Sequence, residues 1–308
     1  MTLTKHFSGL LFVVLAISPA WADTPLERHR VVDGVYAIVG ELGNRTLANR
    51  GNNATFGLIV TSEGVVLIDS GGTYQGAQEV DLLIKDITDQ AVVAVINTGG
   101  QDHRWLGNDY FKQQGAQIIA SEQAVLDQNK RVQDQLISLG NLFDAEFMAQ
   151  TVPLTADTTF KDYFELELGG VVMQIHHAGP AHTPGDSFVW LPQKGVMFSG
   201  DIVYVERMLG VGTQSNSKSW INVFQTMAAY KPAYLVPGHG KPTTLVEATL
   251  DTYDYLAFLR AAIGDFIDQG REITEIGSLD QSEFVYLENF DAIAGRNAQQ
   301  VFIEMEWE

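Results

Sequence analysis

The sequence predicts an α/β (α+β) protein folded as a four-layer αββα sandwich, two β-sheets packed face to face with helices on both outer faces. Three observations lead there. Strand-like apolar runs alternate with helical periodicities in both halves of the chain. Several of those runs end directly in loops that carry Gly, Asp and His, as buried strands feeding one edge of a sheet do. The 45% hydrophobic content of the 308 residues is ample for a sizeable core and excludes a disordered chain.

The first half opens with a β-branched run at 31–39. Strands follow at 55–61 and 65–69, separated by the turn residues Ser62-Glu63-Gly64. Val80, Leu83, Ile84 and Ile87 recur at the spacing of one helix face, so a helix packs on the sheet there. The continuous apolar run at 92–97 reads as a buried strand, and 118–120 as a shorter one. Ser121 is the expected N-cap of a helix reaching 136. In the second half, 164–168 and 171–177 form a hairpin about Gly169-Gly170, and 187–191 with 196–199 form another. Helical patterns at 220–229 and from 245 to about 266 flank a buried strand at 234–236. With no linker or repeat, residues 23–308 are expected to form a single domain. Its core covers about 30–245, and 246–308 form a helical C-terminal extension.

Residues 1–22 read as a signal peptide. Lys5 and His6 precede an apolar run at 10–17, and Ala20-Trp21-Ala22 supplies small residues for cleavage after Ala22. The run is too short for the ~20 residues that span a bilayer, so a periplasmic or secreted protein without membrane insertion is expected. Asp and Glu (38) outnumber Lys and Arg (19), giving a net charge of −19. That charge repels phosphate backbones and anionic lipid, which argues against nucleic-acid or membrane partners and leaves a small-molecule substrate. The absence of Cys removes thiolate ligands and nucleophiles, so any chemistry rests on His, Asp, Glu or hydroxyl groups. No Ser-His-Asp arrangement or P-loop is evident.

Four motifs stand at strand ends. They are Asp69-Ser70-Gly71-Gly72, then Asn97-Thr98-Gly99-Gly100-Gln101-Asp102-His103, then Gly179-Pro180-Ala181-His182-Thr183-Pro184-Gly185-Asp186 with Gly200-Asp201, and lastly Pro237-Gly238-His239-Gly240. A single His in a turn is usually only a hydrogen-bonding residue. His182, Asp201 and His239 at three strand ends form a joint signal. Of the other histidines, His6 lies in the signal and His29 reads as a surface residue. His176 and His177 are neighbours on one strand and face opposite sides, so both read as structural.

This order resembles the metallo-β-lactamase superfamily, whose second motif normally reads Asn-Thr-His-x-His-x-Asp-His-x-x-Gly-Asn. The resemblance covers roughly residues 30–245. Asn52-Asn53-Ala54 and the 297–304 ending make the whole similar to exported members linked by family naming to quinoprotein and sulfur-oxidation systems. Gly99 and Gln101 stand where the two leading histidines belong. A gapless match puts His103 at the motif's Asp and Arg104 at its last His, whereas a one-residue gap aligns Asp102-His103 with the Asp-His pair. The resemblance implies metal ligands among Asp102, His103, His182, Asp201 and His239. Asp102 and Asp201 would be the catalytic carboxylates, orienting the water or taking its proton, and Asp69 would act from behind the ligand loop. One Zn²⁺ is implied, with Fe or Mn as alternatives, because the first-site His pair is lost. The implied function is a hydrolase in which metal-activated water attacks an ester, lactone, thioester or amide carbonyl. The alternatives are a catalytically silent binding or accessory protein on the same fold, and a β-lactam hydrolase. Arg104, Trp105, Arg207 and Met208 lie near the motifs and are candidates for shaping a substrate pocket, although plain packing is the better account of Trp105.

Overall fold

The run expected as one strand at 31–39 is broken at Asp33-Gly34, where Gly34 adopts φ 72°. The result is a hairpin of β1 (Glu27–Val32) and β2 (Val35–Val39). The turn was legible as an Asp-Gly dipeptide, the usual hairpin signal. A computed structural model describes residues 25–308, so the signal segment expected at 1–22 and its cleavage site lie outside the described residues.

β2 pairs onward with β3 (Thr55–Thr61) and β4 (Gly64–Ile68) in antiparallel register. β5 (Val92–Asn97), β6 (Gln117–Ser121) and the short β7 (Thr158–Phe160) then add in parallel, completing a seven-stranded sheet in chain order. The second sheet has five strands: β8 (Tyr163–Leu168), β9 (Val171–His176), β10 (Phe188–Leu191), β11 (Val196–Phe198) and β12 (Tyr234–Val236). Its order is β12-β11-β10-β9-β8, and only the β11–β12 pair is parallel.

Between the sheets lies one apolar layer. Ile59, Val66, Ile68, Ile96 and Ile119 of the first sheet meet Met173, Ile175, Val189, Val196 and Phe198 of the second. The sheets approach closely at Gly57, because a Cβ there would run into the Phe198 ring. The outer face of the first sheet carries α1 (Tyr74–Lys85), and the loop after β5 holds α2 (Asp102–Trp105) and α3 (Asn108–Gln113). The helix expected after Ser121 is α4 (Glu122–Gly140), with the Ser121 hydroxyl accepting from the Ala124 N–H as an N-cap. A single turn, α5 (Ala145–Met148), follows it.

The second sheet is covered by α6 (Ser217–Ala228), then α7 (Leu245–Ala248), α8 (Asp254–Asp268) and α9 (Phe290–Met305). Trp220, Phe224, Leu256, Leu259, Val301 and Phe302 from these helices are buried against Phe188, Met197 and Leu235 of the sheet. Each such large apolar side chain contributes about 1.5–3 kcal/mol on burial. The C-terminal extension therefore completes, with α6, the fourth layer. The αββα expectation holds, and its parallel strands β4, β5, β11 and β12 all point their C-terminal ends at one edge, where the functional loops gather.

Candidate metal centre

Asp69 ends β4 in the left-handed region, φ 66°, a conformation uncommon for a non-glycine residue. The twist turns its carboxylate onto the loop after β5. Oδ1 accepts from the Thr98 N–H and Oδ2 from the Thr98 hydroxyl, both at 2.7 Å. Asn97 and Asn108 brace the same loop by exchanging side-chain hydrogen bonds at 2.9 and 2.8 Å. The asparagines that begin and end the motif are thus a clamp on residues between them.

Arg104 fills the centre of this edge and is fully buried. Its Nε and Nη2 donate to the two oxygens of Asp201 at 3.2 and 2.6 Å. Nη1 donates to Asp69 at 2.9 Å and to the Thr55 carbonyl at 3.1 Å, and Nη2 also reaches the Gly238 carbonyl at 2.9 Å. Every N–H of the guanidinium therefore has a partner. Burial alone would raise the pKa of Asp201, but Arg104, His103 and His239 hold its carboxyl well below the usual carboxylate range. Burial pushes Asp69 up despite the pull of Arg104.

Asp201 lies on the tight turn after β11, and His239 on the turn after β12. His103 Nε2 is 3.2 Å from Asp201 Oδ2, and His239 Nε2 is 3.3 Å from Asp201 Oδ1. The ligand atoms of His103, Asp201 and His239 all lie within 4.8 Å of one another, and all three residues are buried. His239 presents Nδ1 to the Asn53 carbonyl at 2.8 Å, which places its proton there and leaves Nε2 bare toward the cluster. Burial drives its pKa well below the ordinary value, so the ring is neutral. Tyr204 stacks on it at 4.5 Å. Burial and then Asp201 keep the Tyr204 phenol protonated.

The structure does not draw Asp102 or His182 into this triad. The Asp102 carboxylate turns to Arg45, with bonds of 2.6 and 2.5 Å, and sits behind His103, its Oδ1 3.2 Å from Nδ1. Burial opposes ionisation of Asp102, but Arg45 holds it far down. The gapless register follows, with His103 at the motif's Asp and Arg104 at its last His. His182 stands beside the triad, its Nδ1 2.9 Å from the Gly210 carbonyl and its ring against Trp220 and Tyr204. Burial lowers its pKa and keeps it neutral. Gly210 is itself held in place: Asn297 of α9 donates to the Leu209 carbonyl at 2.8 Å and accepts from the Val211 N–H at 2.7 Å.

The corner left by the missing histidines is filled. A Cβ on Gly99 would lie 2.5 Å from Asp186 Oδ1. Asp186 is buried, accepts from the Thr183 N–H at 2.7 Å and bonds the Thr183 hydroxyl; burial raises its pKa to about 8, so it is neutral at pH 7. From α4, Arg131 pairs with Asp127 and donates to Gln101 Oε1 at 3.2 Å, placing a guanidinium there. Gln128 and Gln135 cap the Gly99 and Gly100 carbonyls. The Trp105 indole bonds Gln135, a packing role, and His176 and His177 bond Tyr230 and the Asp186 carbonyl. His29 lies beside Glu27 at the surface. Arg45, Tyr204, Asp186 and Arg131 were missed by sequence reasoning. Only Asp186 carried a signal, as the last residue of the His182 motif.

The triad fits a metal. Two imidazoles and one carboxylate form an N/O donor set suited to Zn²⁺, Fe²⁺ or Mn²⁺. Bonds of ~2.0–2.2 Å at tetrahedral angles put donors roughly 3.4 Å apart, close to the 3.2 and 3.3 Å seen here. The filled corner does not fit one, since it offers a neutral carboxyl and a guanidinium.

The chain is also similar to known proteins. The chain is 25% identical over 199 residues to a metallo-beta-lactamase type 2 of Elizabethkingia meningoseptica, covering 63% of this chain and 72% of the relative. It is 22% identical over 254 residues to a linear primary-alkylsulfatase of a Pseudomonas species, covering 69% of this chain but 47% of that protein. Among solved structures, a metallo-beta-lactamase from Pontibacter korlensis superimposes with a TM-score of 0.59 at 22% identity, over 75% of this chain and 99% of that one. A double mutant of the sec-alkyl sulfatase PisA1 gives 0.71 at 16% identity, over 91% of this chain and half of that one. The profile of the metallo-beta-lactamase superfamily matches residues 50–239, and the chain belongs to that superfamily.

Proposed function

We propose that this protein is an exported hydrolase that uses one metal ion, held by His103, Asp201 and His239, to cleave an ester-type carbonyl bond in a small molecule. Esters, lactones, thioesters and amides are the substrate classes. The observation that carries the reading is the spacing of those three buried donors. When bound, such an ion supplies water activated at neutral pH. The chain's own residues supply the rest. Asn53 fixes the His239 tautomer so that Nε2 is the bare nitrogen. His103 Nδ1 accepts from Arg45 Nη2 at 2.8 Å and Nε2 faces Asp201, so an ion held at Nε2 would displace the proton the ring carries there. Arg104 holds Asp201 ionised and fixed in orientation. His182 is neutral with Nδ1 committed to Gly210, so its Nε2 is the proton acceptor beside the triad. This shifts the general-base role from Asp201, whose oxygens are already bonded, to His182. No helix among the described residues is long and apolar enough to cross a membrane.

Elemental analysis of the purified protein after exposure to Zn²⁺ and removal of the excess tests the reading. About one equivalent per chain is expected, falling with ester hydrolysis in His239→Ala. Occupancy below about a tenth would leave the catalytically silent binding protein as the function.

A further inference from the structure

One face of α4 is turned onto the corner that the two missing histidines leave. Gln128, Arg131 and Gln135 stand at i, i+3 and i+7, the spacing of a single helix face. Gln128 and Gln135 donate to the Gly99 and Gly100 carbonyls at 3.2 and 2.8 Å, and Arg131 Nη1 donates to Gln101 Oε1 at 3.2 Å. Asp127 holds the guanidinium from its other side, accepting from Nε at 2.7 Å and also from Nη2. That leaves one N–H on each Nη of Arg131 without a partner among the described residues. The loop admits this approach because residue 100 is a glycine, where any side chain would collide with the Asp127 carboxylate. The Arg131 side chain is 18% exposed against 3% for Asp127, so the ion pair is open on the arginine side. Its charge is felt at His182, the proton acceptor beside the triad.

A guanidinium fixed in this way is a set of preorganised donors in a place that water only partly reaches, where such donors act more strongly than in bulk solvent. The rest of the corner does not compete with it: Asp186 is neutral, and Gln101 turns its oxygen to Arg131. We propose that Arg131 is a catalytic residue whose two free N–H groups hold the carbonyl oxygen of the substrate and stabilise the negative charge that develops on it. This assignment rests on the hydrolase reading above. As water adds, its oxygen bonds the carbonyl carbon, its proton passes to His182 Nε2, and the π pair of the carbonyl moves onto the oxygen facing Arg131. The pair then re-forms the double bond, the bond to the leaving atom breaks, and His182 returns the proton to that atom. Arg131 exchanges no proton, since a guanidinium stays charged in proteins. Gln101 is then a positioning residue: its Oε1 aims the guanidinium, which the histidine expected there would not do.

The test uses the full mature chain loaded with Zn²⁺ and 4-nitrophenyl acetate, an uncharged ester. Removing Arg131 alone would strand the Asp127 carboxylate, so Asp127→Asn is the reference and Asp127→Asn with Arg131→Met the test variant. The test variant should lower kcat by about 100-fold relative to the reference, the loss of an oxyanion donor. KM should change by less than about threefold, because the interaction is made in the transition state, and metal content by elemental analysis should not change. Guanidinium chloride at a concentration that does not unfold the protein should restore part of the lost rate in the test variant and add none in the reference. Arg131→Lys in the same background should lose about tenfold, a point charge in place of a planar fork. Should the Arg131→Met protein fail to fold, the Arg131→Lys protein is read in its place. Equal kcat in reference and variant overturns the proposal. So does a fall in kcat that tracks metal content or the urea midpoint and is not relieved by guanidinium, the result for an arginine that only braces Gln101. A parent that carries its metal and does not hydrolyse the ester sinks the hydrolase reading and this assignment with it, whereas an active parent in which Arg131 is dispensable sinks this assignment alone.

Discussion

Restoring the two missing histidines is the most direct perturbation of this site, and the structure predicts that it fails. Gly99→His places a Cβ 2.5 Å from Asp186 Oδ1 and 3.3 Å from Thr183 Oγ1, and the first distance is below any real carbon contact. The imidazole must expel the Asp186 carboxyl, breaking its bonds to the Thr183 N–H and hydroxyl. Two lost hydrogen bonds cost about 1–3 kcal/mol. Overpacking of a filled interior adds about 1–3 kcal/mol. Gln101→His also removes the Oε1 that Arg131 donates to and sets an imidazole against that guanidinium. The double variant should therefore lose about 2–6 kcal/mol of a total that is typically 5–15 kcal/mol, read from urea unfolding. Its metal content should stay near that of the parent. Adding Asp186→Ala opens the space and should recover part of the loss. A double variant as stable as the parent that binds an additional equivalent of Zn²⁺ would refute the reasoning, because the corner would then be open.

Other changes follow from the same geometry. Arg104→Lys offers three donors where five are used and leaves Asp69 or Asp201 short of partners, so urea unfolding should show a loss of about 3–5 kcal/mol. His182→Ala should retain metal while slowing ester hydrolysis, whereas His239→Ala should lose both; elemental analysis and a rate assay separate the two. Asp186 carries a native pKa of about 8 against an ordinary 3.8, so the folded state holds a proton that the unfolded chain releases. Its contribution is full below the unfolded pKa and declines as pH rises toward 8, by up to about 1.4 kcal/mol per pH unit. Asp186→Asn should remove that decline, so its stability advantage over the parent should grow with pH in denaturation measured across the range. On the proposal that the protein is exported, N-terminal sequencing should begin at Asp23, and retention of Met1 would exclude cleavage.

Local physics made much of the fold legible. Ser121 capped its helix as its residue type demands, and Gly169-Gly170 turned the β8–β9 hairpin with both φ values positive. The helix read from Val80 to Ile87 ends at Lys85, because Ile87 already bonds back to Ile84 in a closing turn. β7 escaped notice since three residues carry no alternation, and only its pairing with β6 makes it a strand. Of the site, Asp201 and His239 could be read because each follows a strand end with glycine beside it, and His103 because it lies in the motif that follows β5. The turning of Asp102 away could not. Its partner Arg45 is 57 residues distant and lies in a loop with no period or motif of its own. The closing of the Gly99 corner was hidden for the same reason, since Asp186 and Arg131 reach it from separate elements.

Asn297 carries a consequence for how this protein could change. Residues matched by the superfamily profile end at His239, yet the segment facing the triad is fastened by a side chain far beyond that point. Asn297 grips the backbone on both sides of Gly210, and Gly210 sets which nitrogen of His182 is bare. Met208 is tied in the same way to Glu288 through its N–H. On the proposed function, selectivity and proton handling would be tuned from the C-terminal helices, while the proposed metal ligands come from the core that the profile matches. A lineage could remodel what it recognises by altering those helices and leave every ligand untouched. An engineer who trimmed the chain to its recognisable portion would keep the triad and lose the mould around it.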